Sequence, residues 1–223
     1  MQFFRKNIFL FFWILASAEI VSSLFDYPVL HFIFKPLLLP PLIAAAFLKT
    51  GPSPSRRIIV AGAFFAFLGD VFLLLENKNA SFFIFGLICF FVTHIFYSWY
   101  FLRVKKTGIS ALKQKPYIVV VVLLYTTGLV ALLYPRLGPL TIPVILYACI
   151  LTIMILCSIR AYNFLNGASR LSIVIGAVCF VISDSLLAIN KFYAPFGGAG
   201  FFIILTYCMA QYFIMNGFIK NSN

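Results

Sequence analysis

Residues 58–75, IIVAGAFFAFLGDVFLLL, decide the fold class of this chain. The hydrocarbon core of a bilayer is about 30 Å thick, so a helix needs about 20 apolar residues to cross it. The stretch comes close to that length, and Asp70 is its only charged residue. It therefore predicts a transmembrane helix that carries one carboxyl group into the membrane.

The whole chain has the composition of a membrane protein. Of its 223 residues, 63% are hydrophobic and 10% are charged, against about 25% charged residues in soluble domains. So little polar surface cannot cover a water-soluble globule of this size. Seven further apolar runs of transmembrane length lie at 8–24, 29–48, 81–102, 117–134, 139–159, 171–189 and 199–219. We predict an all-α integral membrane protein with eight transmembrane helices, forming a single transmembrane domain over residues 1–223.

The basic residues predict the orientation, because Lys and Arg are retained on the cytoplasmic side. With the N-terminus inside, 13 basic residues face the cytoplasm and three face outwards, while Lys35 lies within the second span. The inner set is Arg5, Lys6, Lys49, Arg56, Arg57, Arg103, Lys105, Lys106, Lys113, Lys115, Arg160, Arg170 and Lys220, and the outer set is Lys78, Arg136 and Lys191. Both termini are therefore predicted inside. This asymmetry and anionic lipid account for the net charge of +12, so no nucleic-acid partner is expected. The compact loops favour a bacterial inner membrane.

A weak internal repeat relates the third and seventh spans. Gly62 precedes Asp70 by the same eight residues that separate Gly176 from Asp184, and both spans run from inside to outside. A parallel duplication of a four-helix unit would produce this pattern. Chance likeness between apolar helices would produce it too, and the sequence leaves both interpretations open.

Four ionisable residues are predicted at one depth in the membrane. Glu19, Lys35, Asp70 and Asp184 each lie about 8 Å below the outer boundary at 1.5 Å per helical residue. A charge inside a bilayer costs about 2.5 to 3.5 kcal/mol on insertion scales, so such residues usually line a bundle interior or a wet cavity. We expect a functional role for Asp70 and Asp184, because Asp is too short to reach the interface. Glu19 and Lys35 are equally well explained as a buried ion pair.

A second polar tier is predicted deeper in the membrane. It contains His94 and Tyr97 on the fourth span and Tyr207 and Gln211 on the eighth. On straight helices His94 lies about 12 Å below the Asp tier, which is too far for direct proton transfer. We expect His94 to line the floor of a cavity or to form a hydrogen bond between helices.

Two carboxyl groups at one depth can supply both an acid and a base. Burial disfavours the charged form of one, while Lys35 or hydrogen bonds keep the other ionised. A substrate that reaches this depth from the outer side would be an amphiphile, with its headgroup at the rim and its chain running inwards. Hydrolysis of a lipid bond is therefore a plausible chemistry for the pair.

Several blocks of the sequence resemble the YhhN family, which includes the mammalian transmembrane lysoplasmalogenases. The blocks are 35–40 (KPLLLP), 68–73 (LGDVFL), 85–87 (FGL), 94–97 (HIFY), 176–186 (GAVCFVISDSL), Tyr207 and Gln211. Each block is weak alone, but together they extend over nearly the whole chain in a specific order.

The resemblance implies an eight-helix hydrolase that cleaves the vinyl ether bond of lysoplasmalogens. The products would be a fatty aldehyde and glycerophosphoethanolamine or glycerophosphocholine. Combined with the predicted acid tier, the resemblance makes Asp70 and Asp184 the candidate catalytic residues, one as acid and one as base. The candidate substrate-binding residues are Glu19, Lys35, Glu76, His94, Tyr97, Ser183, Asn190, Lys191, Tyr207 and Gln211. The expected partners are a lysophospholipid substrate and membrane lipid. No cofactor and no metal are expected, because His31 and His94 do not make a metal site.

A proton-coupled transporter or a lipid-binding membrane protein is the alternative function. In that case the same acids would relay protons while the two repeats rock about the site. Broken helices at the site would favour transport. Pro36 and Pro143 are expected near helix starts, where proline is tolerated.

Overall fold

The fold is an all-helical bundle. The computed structural model describes residues 2–105 and 108–222, with side chains from Lys6 onwards. The α-helices in this part of the chain are α1 (Gln2–Leu24), α2 (Pro28–Leu37), α3 (Leu39–Lys49), α4 (Pro54–Leu74), α5 (Ser81–Arg103), α6 (Ala111–Gln114), α7 (Tyr117–Leu133), α8 (Thr141–Ala161), α9 (Gly167–Ala188) and α10 (Ala199–Ser222). Lys106 and the side chain of Arg5, both assigned to the cytoplasmic face, lie outside the described residues.

Eight helical stretches of the described chain are long and apolar enough to cross a membrane, as the sequence predicts. They are Lys6–Leu24, Pro28–Lys49, Pro54–Leu74, Ser81–Arg103, Tyr117–Arg136, Gly138–Phe164, Gly167–Tyr193 and Ala199–Ser222. The protein is therefore an integral membrane protein with eight spans. The orientation of these spans stays a prediction.

The helix of the second span is interrupted at one residue. Its two parts, α2 and α3, meet at Leu38, whose backbone stays helical, and Pro36 lies in the last turn of α2. The expectation that Pro36 lies near a helix start is wrong, because α2 already begins at Pro28. Pro40 and Pro41 lack the backbone N–H groups that would bond to the last carbonyls of α2, which explains the interruption.

The seventh span is longer than the sequence predicts. The α-helix α9 continues from Ile189 to Tyr193 as a π-helical turn, so the span ends four residues beyond residue 189. Turns of this kind occur often at functional sites. The extension places Asp184 deeper in the membrane than the predicted end of the span implied.

Small residues set the close contacts between helices. A methyl group on Gly176 of α9 would lie 2.8 Å from the backbone nitrogen of Ile214 on α10. A methyl group on Gly62 of α4 would lie 2.6 Å from the ring of Tyr97 on α5. The helix pairs α9–α10 and α4–α5 therefore pack with little separation, as small-residue contacts in membranes allow. By contrast, α7 lies at the edge, with Leu133 as its one buried residue.

Candidate active site

A cluster of three polar side chains joins α5, α8 and α9 inside the bundle. The Tyr147 hydroxyl donates a hydrogen bond to Oδ2 of Asp184 at 2.7 Å. Nε2 of His94 lies 3.1 Å from the same carboxyl oxygen and 3.0 Å from the Tyr147 oxygen. His94 is fully buried, whereas the side chain of Asp184 is 11% exposed. The cluster therefore holds a partly accessible carboxyl group in a fixed orientation.

The prediction that His94 lies too far from the acid tier is wrong. Counting from the true span end at Tyr193, Asp184 lies about 13 Å below the outer boundary, against about 20 Å for His94. The side chains bridge the remaining separation, because Nε2 of His94 lies 3.1 Å from Oδ2 of Asp184. The error came from placing the end of the seventh span at residue 189, before its π-helical turn.

A second cluster surrounds the other Asp. The Tyr207 hydroxyl of α10 donates a hydrogen bond to Oδ2 of Asp70 at 2.6 Å. Asp70 is 1% exposed, and Lys35 lies half-buried in the last turn of α2. One turn deeper on α10, Oε1 of Gln211 accepts a hydrogen bond from the α5 hydroxyl of Tyr97 at 2.7 Å. These contacts bring together residues that the sequence placed in two separate tiers.

Glu19 has a different partner from the one expected. Its Oε1 atom lies 2.6 Å from Nδ1 of His31, near the start of α2. Glu19 is fully buried, and His31 is 32% exposed. The close contact of the Glu19 carboxyl group is thus with the imidazole of His31.

Aromatic rings lie between the two Asp clusters. The ring of Phe180 packs edge-on against His94 at 4.7 Å and against Tyr207 at 5.8 Å between centroids. Phe90 packs against both Phe180 and Tyr207. Asp70 and Asp184 therefore lie in neighbouring clusters, each with its own hydrogen-bond partners, with an apolar layer between them.

A narrow cleft of about 50 Å³ reaches the first cluster. Asp184 and Tyr147 are its polar residues, and the remaining lining is apolar, including Leu73, Leu87, Phe90 and Val144. A cleft of this volume can admit a small reacting group. That group would meet one carboxyl group in an otherwise apolar wall.

A charged pair lies at the end of this cleft that is next to the π-helical turn. Nζ of Lys191, in the π-helical turn, lies 3.2 Å from Oε2 of Glu76, just beyond α4. The same Nζ atom lies 4.9 Å from the ring centroid of Phe83, and this ring packs against Phe192. Phe83 and Phe192 both line the cleft. The pair is therefore one aromatic layer away from the site of Asp184.

Two predicted substrate-binding residues bond to the backbone. The Ser183 hydroxyl donates a hydrogen bond to the carbonyl of Ile203 at 3.0 Å, which ties α9 to α10. Oδ1 of Asn190 accepts a hydrogen bond from the backbone nitrogen of Phe196 at 3.3 Å. Both contacts stabilise the outer end of α9. Neither residue lines the cleft.

Tyr147 is the residue that the sequence did not single out. It is an isolated tyrosine in the apolar sixth span, and such a residue is ordinarily a packing residue. Its importance depends on a contact 37 residues along the chain, with Asp184. Within the described ranges, His, Cys, Asp and Glu side chains form no group of three or more that could hold a metal.

Comparison with known proteins identifies the family. A model of the YhhN family matches residues 30–218, which is most of the chain. The chain belongs to the YhhN family. The resemblance carried by the sequence blocks is thereby confirmed, and both polar clusters lie within the matched region.

Three relatives of this YhhN protein are named as lysoplasmalogenases. Lysoplasmalogenase TMEM86A of Bos taurus is 32% identical over 173 residues, which cover 75% of this chain and 67% of the relative. Lysoplasmalogenase TMEM86A of Homo sapiens is 34% identical over 171 residues, which cover 74% of this chain and 65% of the relative. The lysoplasmalogenase of Mycobacterium bovis is 28% identical over 179 residues, which cover 79% and 66%. The match thus spans about two thirds of each relative's own length. No solved structure matches this YhhN protein significantly.

Proposed function

We propose that this chain is an enzyme of the lysoplasmalogenase type, which hydrolyses the vinyl ether bond of a lysophospholipid within the membrane. The observation that carries the proposal is the single carboxyl group of Asp184 in an apolar cleft, held by Tyr147 and His94. The names of the relatives supply the substrate class. The products are a fatty aldehyde and glycerophosphoethanolamine or glycerophosphocholine.

Hydrolysis of a vinyl ether begins with a proton on carbon. The alkene carbon that is not bonded to oxygen takes a proton from the acid. The alkene carbon bonded to oxygen then becomes the centre of an oxocarbenium ion. Water adds to this carbon and loses a proton to the resulting carboxylate, which restores the acid. The hemiacetal then breaks its bond to the glycerol oxygen, and a proton moves from the hemiacetal hydroxyl to the leaving alcohol. One carboxyl group can serve as acid and then as base, as in retaining glycosidases.

The placement of the two Asp residues supports different roles for them. Asp184 lines the cleft, and both of its polar contacts involve Oδ2, which leaves Oδ1 for the proton that is transferred. Asp70 is buried behind Phe90 and bonds to Tyr207. We therefore assign the proton transfers to Asp184. Asp70 is the second carboxyl group of the site, and it positions Tyr207 and the aromatic layer that floors the cleft.

The charged pair at the mouth suits a zwitterionic headgroup. The Lys191 ammonium group can bind the phosphate, and the Glu76 carboxylate can bind the ammonium group of the headgroup. The two side chains lie 3.2 Å apart, so they present one positive and one negative charge side by side. A vinyl ether bond lies only a few atoms from the phosphate in such a lipid. Phe83 and Phe192 are the one aromatic layer between this pair and the Asp184 cleft.

The first test replaces each carboxyl group in turn. We expect Asp184→Asn to lower aldehyde release from a lysoplasmalogen by about a hundredfold or more, because general acid catalysis contributes about 10² to 10⁴. Asp70→Asn should cause a smaller loss. Asp26→Asn is the matched control, since Asp26 is exposed and Asn tolerates its positive φ of 53° equally well. Full activity in a folded, inserted Asp184→Asn protein would refute the assignment.

The second test concerns the headgroup. Lys191→Ala should raise KM for a lysoplasmalogen while leaving kcat within about twofold, because the Lys contacts a part of the substrate that does not react. Lys78→Ala, another outer basic residue, is the control. A fall in kcat with unchanged KM would contradict the headgroup role of Lys191.

Proton-coupled transport is the second candidate function. The interruption of the second span at Leu38 favours it, because Leu38 lies three residues from Lys35. Purified protein in detergent distinguishes the two functions. Free aldehyde from a lysoplasmalogen supports hydrolysis, whereas proton-driven flux in liposomes without aldehyde supports transport.

A further inference from the structure

An apolar groove lies beside the Asp184 cleft, between α5 and α8. It has a volume of about 310 Å³. Its lining is apolar apart from Tyr147, and it includes Ile84, Ile88 and Phe91 of α5 and Leu146 of α8. Ile88 is 53% exposed and Leu146 is 55% exposed, so both walls face the lipid. The groove is therefore open to the bilayer from the side.

The groove and the cleft share two residues, Leu87 and Tyr147. The Tyr147 hydroxyl donates its hydrogen bond to Asp184, so the other face of the same side chain forms part of the groove. The two spaces therefore meet at the side chains of Leu87 and Tyr147.

The size of the cleft requires a second space for a lipid. About 50 Å³ holds a small reacting group but not a hydrocarbon chain. The reacting bond of a lysoplasmalogen is at the head of its one chain, so the rest of the chain must leave the cleft. The groove provides about 310 Å³ of apolar space at the shared wall, within the range of known ligand pockets.

We propose that the α5–α8 groove binds the hydrocarbon chain of the lysolipid substrate. The chain leaves the cleft between Leu87 and Tyr147 and lies between α5 and α8, while the headgroup stays at the mouth of the cleft. This inference rests on the proposed function and names where its substrate lies. Lipid chains are as apolar as the groove, so the groove orients the chain rather than supplying binding energy. Correct orientation of the reacting bond is itself a large contribution to rate.

A second groove serves as an internal control. It lies between α7, α8 and α9, has a volume of about 260 Å³ and includes Ile182, which is 40% exposed. It shares no residue with the cleft. Four hydroxyl groups in its wall pair with one another, Tyr125 with Ser185 and Thr126 with Thr152. A lipid chain in this groove would have no contact with the wall of the Asp184 cleft.

The kinetic test fills each groove with a larger side chain. Ile88→Trp and Leu146→Trp should lower kcat/KM for a long-chain lysoplasmalogen by about tenfold or more, because Trp occupies the path of the chain. A water-soluble alkenyl ether with a four-carbon chain should keep its rate within about twofold, since it enters through the mouth. The matched control Ile182→Trp should leave both substrates unchanged. If both groove variants leave the long-chain rate unchanged, or lower both rates equally, the groove is not the path of the chain.

A second measurement does not depend on catalysis or on the variants. A lysophosphatidylethanolamine analogue with a saturated ether-linked chain and a mid-chain diazirine is photolysed with the wild-type protein, and the adducts are mapped by mass spectrometry. Adducts at 84–91 and 142–147 support the groove, whereas adducts confined to the α7–α9 groove overturn it. If adducts form at the α5–α8 groove but the wild-type protein releases no aldehyde from a lysoplasmalogen, the proposed function fails and the lipid-binding groove stands.

Discussion

At the residue scale, the chemistry of the site depends on the hydroxyl of Tyr147. It orients the carboxyl group of Asp184 and lies 3.0 Å from Nε2 of His94. We expect Tyr147→Phe to lower kcat by about ten- to a hundredfold, because a hydrogen bond to a charged group contributes about 1.5 to 3 kcal/mol. The measurement is kcat for the release of aldehyde from a lysoplasmalogen.

Tyr125→Phe is the matched control for Tyr147→Phe. Tyr125 also donates a hydrogen bond to α9, at 2.8 Å, but its acceptor is Ser185 rather than Asp184. Removal of the Tyr125 hydroxyl should leave kcat unchanged. If Tyr147→Phe changes activity no more than Tyr125→Phe does, then Tyr147 has only a packing role.

The sequence revealed the acids of the site and named His94 and Tyr207 as site residues, but it did not reveal Tyr147. An Asp in an apolar run is visible because charge in a membrane is costly, and Asp70 and Asp184 were found on that ground. Tyr147 carried no such signal, because a tyrosine is common in membrane helices as a packing residue. Its contact with Asp184 depends on how α8 and α9 are rotated against each other, and hydropathy does not contain that information.

At the element scale, the number of spans was predictable and their ends were not. Apolar length fixes the number, whereas the π-helical turn at the end of α9 prolongs the seventh span without a change in composition. This turn places Lys191 beside Glu76 at the mouth of the cleft. The interruption at Leu38 was likewise missed, because the start of α2 at Pro28 places Pro36 in a last turn.

The packing of α9 on α10 should depend on Gly176. Its added methyl group would lie 2.8 Å from the backbone nitrogen of Ile214 and 3.0 Å from the carbonyl of Ala210, and backbone atoms cannot move aside easily. We expect Gly176→Ala to lower the free energy of unfolding by about 1 to 3 kcal/mol, as overpacking does. Denaturant unfolding in detergent, followed by circular dichroism, measures it.

Gly128→Ala in α7 controls for the intrinsic helix preference of alanine. No atom lies within 4 Å of its added methyl group. This variant should be neutral or stabilise the helix by about 0.5 to 1 kcal/mol. A Gly176→Ala protein that is as stable as Gly128→Ala would show that α9 and α10 are free to separate.

At the scale of the whole molecule, the polar contacts support the duplication suggested by the sequence. Tyr97 and Gln211 are 114 residues apart, the offset that also separates Asp70 from Asp184. Positions related by a two-fold axis can meet where they lie close to that axis, and Tyr97 and Gln211 meet in this way through their hydrogen bond. The Asp contacts follow the same correspondence, in which α4 and α5 are equivalent to α9 and α10. Asp70 on α4 bonds to α10, and Asp184 on α9 contacts α5.

The orientation of the bundle decides which side of the membrane supplies the substrate. Basic residues are concentrated in the α5–α7 connection, with Arg103, Lys105, Lys113 and Lys115, so this connection is predicted inside. The mouth of the cleft, at Lys191, then faces outwards.

Alkaline phosphatase fused after Lys78 should be active in a bacterial host, because the enzyme folds only outside the cytoplasm. Fused after Lys115 it should be inactive, while green fluorescent protein at that position should fluoresce. The reverse pattern would invert the bundle and place the mouth of the Asp184 cleft on the cytoplasmic side, where the lysolipid would have to be supplied from the inner leaflet.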